Sequence, residues 1–182
     1  ISEIFNKTSV KLDIIDSTKE ARLTQIAIKF ALKREKIKSD KFIVVDIGGG
    51  SVELIINDNN SSYCKSFNFG IITMSQLHKN SQEVLNDLQK RNIEIKDYIK
   101  SLNINLSDFE FIATAGTPTT IAAVKLGQLY STYDKDAVNG TKINLVDLQN
   151  CYDLLNSSNI ENREIVFGTN KKEIIETGIV IS

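Results

Sequence analysis

Asp46-Ile47-Gly48-Gly49-Gly50-Ser51 is the stretch of this sequence best suited to holding an anion. Successive glycines carry no Cβ, so the backbone can turn sharply and bring several N–H groups to one charged group. The carboxylate of Asp46 can hold Mg²⁺ beside bound phosphates, directly or through water. Glu53 follows Ser51 by two residues, and strand alternation sets both on one face. It can meet the same ligand, or it can be a solvated edge-strand glutamate. A glycine hairpin that binds nothing has the same composition. Two familiar phosphate loops do not fit, because one needs a Gly-Lys-Ser/Thr step and the other a helix after the loop. Here a strand follows.

A second candidate is Thr114-Ala115-Gly116-Thr117-Pro118-Thr119, a strand–glycine–helix junction. Helix N-termini present unpaired N–H groups and a positive dipole end, so Gly116 and Thr117 are candidate phosphate donors. A well-capped helix reads the same way. Glu20 is the third candidate. It can act as a general base toward an attacking water, or close a capping box with Ser17. Lys90, Arg91, Lys96 and Lys100 read as a solvated helix face, and Cys64 and His78 as packing or surface residues.

These residues need elements to place them. Ser9 to Ile15 alternates and predicts a strand, followed by a helix through Leu23, Ile26, Ala27, Phe30 and Ala31. The basic stretch Lys33 to Lys41 ends that helix. Phe42 to Val45 is a continuous apolar run suited to a central strand. Val52 to Ile56 and Tyr63 to Phe69 complete a three-stranded meander around an Asp58-Asn59-Asn60-Ser61 turn. Helical spacing runs from about Ser81 to Ser101, and Phe109 to Thr114 is another strand. Thr117 is the expected cap of a helix from Thr119 to Leu126 that opens on Pro118. Leu145 to Leu155 and Lys171 to Val180 read as helices. The order implies an α/β fold, a mixed sheet covered by helices.

At 182 residues the chain can bury a real core. Lys and Arg total 22 against 23 acidic residues, a net charge of -1, so no global basic field recruits nucleic acid or a membrane. One histidine and two distant cysteines exclude a His-based metal site and a Ser-His-Asp triad. Reduced thiols, no signal peptide and no apolar run near the roughly 18 residues of a membrane span point to the cytoplasm. The sequence begins at Ile1 rather than Met, as a fragment would.

Taken together, the motifs resemble the exopolyphosphatase/guanosine pentaphosphate phosphatase (Ppx/GppA) family of the actin-like ATPase superfamily. Lys19-Glu20-Ala21-Arg22-Leu23 is similar to its "EEAR" helix start, and Val44 to Glu53 to its second phosphate loop. Phe69-Gly70-Ile71-Ile72 is similar to its "LGxVR" segment, and Ala113 to Thr120 to its adenosine-type motif. Tyr133-Asp134 with Val138-Asn139-Gly140 resembles its "YD…VHG" stretch, and Glu176 to Val180 its closing helix. The matches run in order from about Val10 to Ile181.

The resemblance implies a ribonuclease-H-like (actin-like ATPase) domain. Residues 1–38 would form a strand and helix linking to a missing N-terminal lobe, and residues 39–182 the second lobe. It implies hydrolysis of terminal phosphoanhydride bonds of polyphosphate or guanosine pentaphosphate with Mg²⁺. Glu20 would be the catalytic base, and Asp46 and Glu53 the metal residues. Gly48, Gly49, Gly50, Ser51, Gly116 and Thr117 would bind phosphate. Lys19 replaces the first acid of the family's pair and Asn139 its histidine, and the family's usual arginine is not evident near Lys171-Lys172. The family's first phosphate loop lies upstream, so this chain is expected to bind phosphate but hydrolyse poorly or not at all. The Ser9–Ile15 strand and the closing helix, which would pack partly against the missing lobe, are expected to be exposed, frayed or buried in a homodimer or other self-association contact. Two alternatives are a non-catalytic sensor of polyphosphate or guanosine tetra- and pentaphosphate, and a filament-forming actin-like ATPase.

Overall fold

The computed structural model describes residues 2–37, 39–59 and 61–182, without the side chains of Ser2, Ser17 and Thr18. Strands β1 (Lys41–Ile47), β2 (Val52–Asp58) and β3 (Ser61–Phe67) form the expected antiparallel meander. Strand β4 (Glu110–Thr114) pairs parallel to β1, giving the order β3-β2-β1-β4. β1 and β2 are central and apolar on both faces, which is why their sequences read as continuous runs. Asn59 takes the left-handed conformation (φ 50) that a two-residue hairpin requires.

The helices, in chain order, are α1 (Ser2–Thr8), α2 (Ser17–Arg34), α3 (Ile71–Leu77), α4 (Ser81–Ser101) and α5 (Gly116–Lys125), then α6 (Lys135–Val138), α7 (Leu145–Ser157), α8 (Ile160–Phe167) and α9 (Lys172–Ile181). On one sheet face, Phe42, Val44 and Ile55 pack with Ala21 and Leu32 of α2. On the other, Ile43, Ile47, Val52, Leu54 and Ile56 meet Met74 of α3 and Val84 and Leu88 of α4. Beyond the sheet, Ile121, Cys151, Leu155, Phe167, Ile175 and Ile179 join α5, α7, α8 and α9 in a helical core. Burying a side chain of this size stabilises by about 1.5–3 kcal/mol, so Ile121 ties α5 into the helical core just past its β4 junction.

Four expectations are corrected. The closing helix α9 does not present an uncovered apolar face, because Ile175 and Ile179 are buried against α5, α7 and α8 in the helical core. Ser9 to Ile15 forms no strand: it is irregular, with Val10, Leu12 and Ile14 exposed. A strand needs a neighbour for its N–H and C=O groups, and among the described residues this segment pairs with no strand of the sheet. The segment is preceded by α1, which the alternating pattern gave no reason to expect. The cap of α2 is Asp16, which accepts from the Lys19 N–H at 2.8 Å, and Ser17 is already helical. The capping-box reading of Glu20 therefore loses its partner position, and the Ser17 side chain lies outside the described residues. Helix α5 begins at Gly116, not Thr119, so Thr117 sits inside its first turn rather than capping it. Helices α3, α6 and α8 are short or weakly periodic, and the sequence pattern passes over them. Among the described residues no helix is long and apolar enough to cross a membrane.

Candidate active site

Because β1 and β4 run parallel, their C-terminal ends finish together. Thr114 of β4 is in register with Asp46, Asp46 with Glu53 of β2, and Glu53 with Ser66 of β3. Register partners share a face, so these four residues form one polar row across the sheet. It lies on the α2 side, one pleat beyond Val44 and Ile55. Thr24 of α2 donates to Asp46 Oδ2 at 3.4 Å, and Ser66 donates to Glu53 Oε1 at 2.8 Å. Glu20 precedes Thr24 by one helical turn and so shares its side of α2. Glu53 is 7% exposed, which decides against a solvated edge glutamate.

The glycine hairpin closes this end of the row. Gly48 N–H donates to the Ser51 carbonyl at 3.0 Å, making a tight turn. No acceptor among the described residues takes the N–H groups of Gly49, Gly50 or Ser51. Helix α5 begins beside it with no side-chain cap, and the Gly116 and Thr117 amides likewise lack an acceptor among the described residues. Ala115, which precedes α5, adopts φ 76 and ψ -167, a region nearly reserved for glycine. The Thr117 hydroxyl packs against α9 at Gly178, so Thr117 can offer a ligand its backbone N–H and not its side chain.

The electrostatics follow from the packing. Asp46 has its carboxyl pushed up by burial, then by the charges of Glu53 and Glu20, with the Thr24 hydroxyl opposing. No Lys or Arg of the described residues forms an ion pair with any of these three acids. The site concentrates negative charge around a set of unpartnered amides.

The Ppx/GppA phosphatase family model matches residues 1–182. The chain belongs to that family. Its fold is similar to the Ppx/GppA member of Aquifex aeolicus, at 19% identity and TM-score 0.73, over 99% of this chain and 58% of that one. It is similar also to an exopolyphosphatase from Cytophaga hutchinsonii, at 20% identity and TM-score 0.70, over 100% of this chain and 59% of that one. An exopolyphosphatase-like protein superposes at TM-score 0.74 with 22% identity. The chain thus spans about three fifths of the length of the solved structures it matches. No curated protein matches the sequence.

The donor set of this Ppx/GppA chain can be tested against Mg²⁺. Among the described residues no group of three or more His, Cys, Asp or Glu side chains is arranged to hold a metal. Mg²⁺ sites of phosphate-handling enzymes use one or two carboxylates, with phosphate oxygens and water completing the shell. Asp46 and Glu53, adjacent in register and mutually repelling, fit that smaller demand. Sequence reading passed over Thr24 and Ser66, and placed Ala115 in the junction without its strained backbone. Ser66 becomes visible only once the strand register is known. Thr24 had a signal, its spacing of four from Glu20.

Proposed function

We propose that this chain carries the water-activating and phosphate-binding half of a phosphoanhydride hydrolase acting on the terminal phosphate of polyphosphate or guanosine pentaphosphate. The observation that supports this best is the convergence of three acids and two sets of unpartnered amides at one end of the sheet. Amides of Gly49, Gly50 and Ser51 would bind oxygens of the terminal phosphoryl group, and those of Gly116 and Thr117 the neighbouring phosphate. Asp46 and Glu53 would hold Mg²⁺, which when bound neutralises charge on the phosphate oxygens.

Glu20, exposed at the rim, would take the proton from water as its oxygen attacks phosphorus and the P–O bond to the penultimate phosphate breaks. General-base catalysis is worth roughly 10²–10⁴ in rate, and each amide aimed at developing charge about 10²–10³. A chain with one phosphate wall would bind the phosphate tail yet turn it over slowly, because positioning supplies most of the rate in phosphoryl transfer. Orthophosphate release by the full-length phosphatase, with and without Mg²⁺, tests the reading. Glu20→Gln should cut turnover at least 100-fold, near the low end for a general base, with binding retained. Unchanged turnover removes Glu20 as the base. A full-length protein that binds without hydrolysing supports the sensor instead.

A further inference from the structure

The Phe69-Gly70-Ile71-Ile72 segment lies against the glycine hairpin. Helix α3 starts there. The N–H of Ile71 donates to the Gly48 carbonyl at 3.0 Å, and those of Ile72 and Thr73 to the Gly49 carbonyl at 2.8 and 3.2 Å. A trans peptide holds its C=O and the following N–H on opposite sides of one plane. Pulling the Gly48 and Gly49 carbonyls toward α3 therefore turns the Gly49 and Gly50 N–H groups away from it. Helix α3 packs on the sheet face opposite Asp46 and Glu53, so these amides turn from the core side toward the acids.

The contact is close enough to dictate a residue type. A Cβ on Gly70 would stand 2.6 Å from both the Gly48 oxygen and the Gly49 carbonyl carbon. Thr73 locks the junction, its Oγ1 accepting from the Gly70 N–H at 2.8 Å and donating to the Gly70 carbonyl at 3.1 Å. The far end of α3 is also held. His78, its C-cap, meets Asp87 of α4 at 3.0 Å, and Arg91 bonds Asp87 while lying 5.0 Å over the Phe69 ring.

We infer that Gly70 and Thr73 are positioning residues: they clamp the hairpin carbonyls to α3 and so aim the Gly49 and Gly50 amides into the cradle. The inference rests on the proposed phosphate-binding role of that hairpin.

The test measures tripolyphosphate binding to the chain by calorimetry in Mg²⁺, alongside Gly49 and Gly50 amide shifts and hydrogen exchange by NMR, and thermal stability. Thr73→Val removes the hydroxyl and keeps the shape. It should weaken binding roughly three- to tenfold, the scale of one lost hydrogen bond, shift both amides and leave most of the protein folded. Thr73→Ser should restore both readouts. Gly70→Ala should move the hairpin outright and cost more than tenfold, the Thr73 pair standing in if it folds poorly. A merely structural Thr73 would lower the melting temperature while binding and the Gly49 and Gly50 shifts stay as in the wild type, and that result overturns the inference. If the wild type binds no tripolyphosphate, the cradle reading fails instead. The clamp is then judged by whether Thr73→Val moves the two amides.

Discussion

Asp46 carries two penalties at once in the free protein, partial burial and the neighbouring charges of Glu53 and Glu20. Both raise its carboxyl above the unfolded value, so the native state binds the extra proton. Stability therefore falls as pH rises from the ordinary carboxylate range through the raised value, and the loss persists at neutral pH. Asp46→Asn should remove that slope and raise the neutral-pH melting temperature by a few degrees, as removing strain at a functional site commonly does. If Asp46 holds Mg²⁺ as proposed, added Mg²⁺ should raise the melting temperature of the wild type and leave that of Asp46→Asn unmoved. A pH–stability curve that Asp46→Asn leaves unchanged counts against the crowded-acid account. Ala115 stores a different strain. Its backbone costs about 1–3 kcal/mol for a residue with a Cβ, partly offset on replacement by the extra unfolded entropy of glycine, about 0.5–1 kcal/mol. Ala115→Gly should gain about 1 kcal/mol, read as roughly 2–4 °C in thermal melts. A fall instead would mean that φ 76 is not strained in this setting.

Elements rather than residues decide whether the two amide sets stay together. Helix α5 is steered from behind by α9, where a Cβ on Gly178 would stand 2.4 Å from Thr117 Oγ1. Gly178→Ala should therefore cost about 1–3 kcal/mol by overpacking and lower the melting temperature by several degrees. Thr117→Ala in the same chain should recover most of the loss, and a double-mutant cycle measures that coupling. Additive losses would show that the two helices do not meet as described. The sequence displayed the central elements well. The runs of β1 and β2 and the helical period of 21-residue α4 are each strong enough to read alone. It failed where formation depends on a neighbour. Ser9 to Ile15 alternates like a strand but finds no edge to pair with, and seven-residue α3 exists because the hairpin carbonyls accept its first amides. The site was half legible for a related reason. Acids and glycines announce themselves by type, whereas Ser66 matters only through strand register, and Thr24 offers no more than its spacing of four from Glu20.

At the scale of the whole molecule, the two sides of α2 are unequal. Ala21 and Leu32 are buried on the sheet, while Leu23, Ile26 and Phe30 are 52%, 55% and 72% exposed. Spacings of three and four put those three in a single stripe, and Val10, Leu12 and Ile14 upstream are exposed as well. An exposed apolar stripe on a helix marks a candidate contact site. The expected occupant in isolation is a second copy of the chain, since a net charge of -1 offers little repulsion between copies. Light scattering should report a dimer at tens of micromolar, and the association should weaken on cooling because apolar burial near room temperature is entropy-driven. Phe30→Asp should return the monomer, and as a surface change it should move folding stability by no more than about 0.5 kcal/mol. Salt separates this contact from an ionic one: raising ionic strength screens charge pairs but leaves apolar burial intact or strengthened. A strict monomer across that concentration range, or a dimer that Phe30→Asp leaves intact, would place the association elsewhere or remove it.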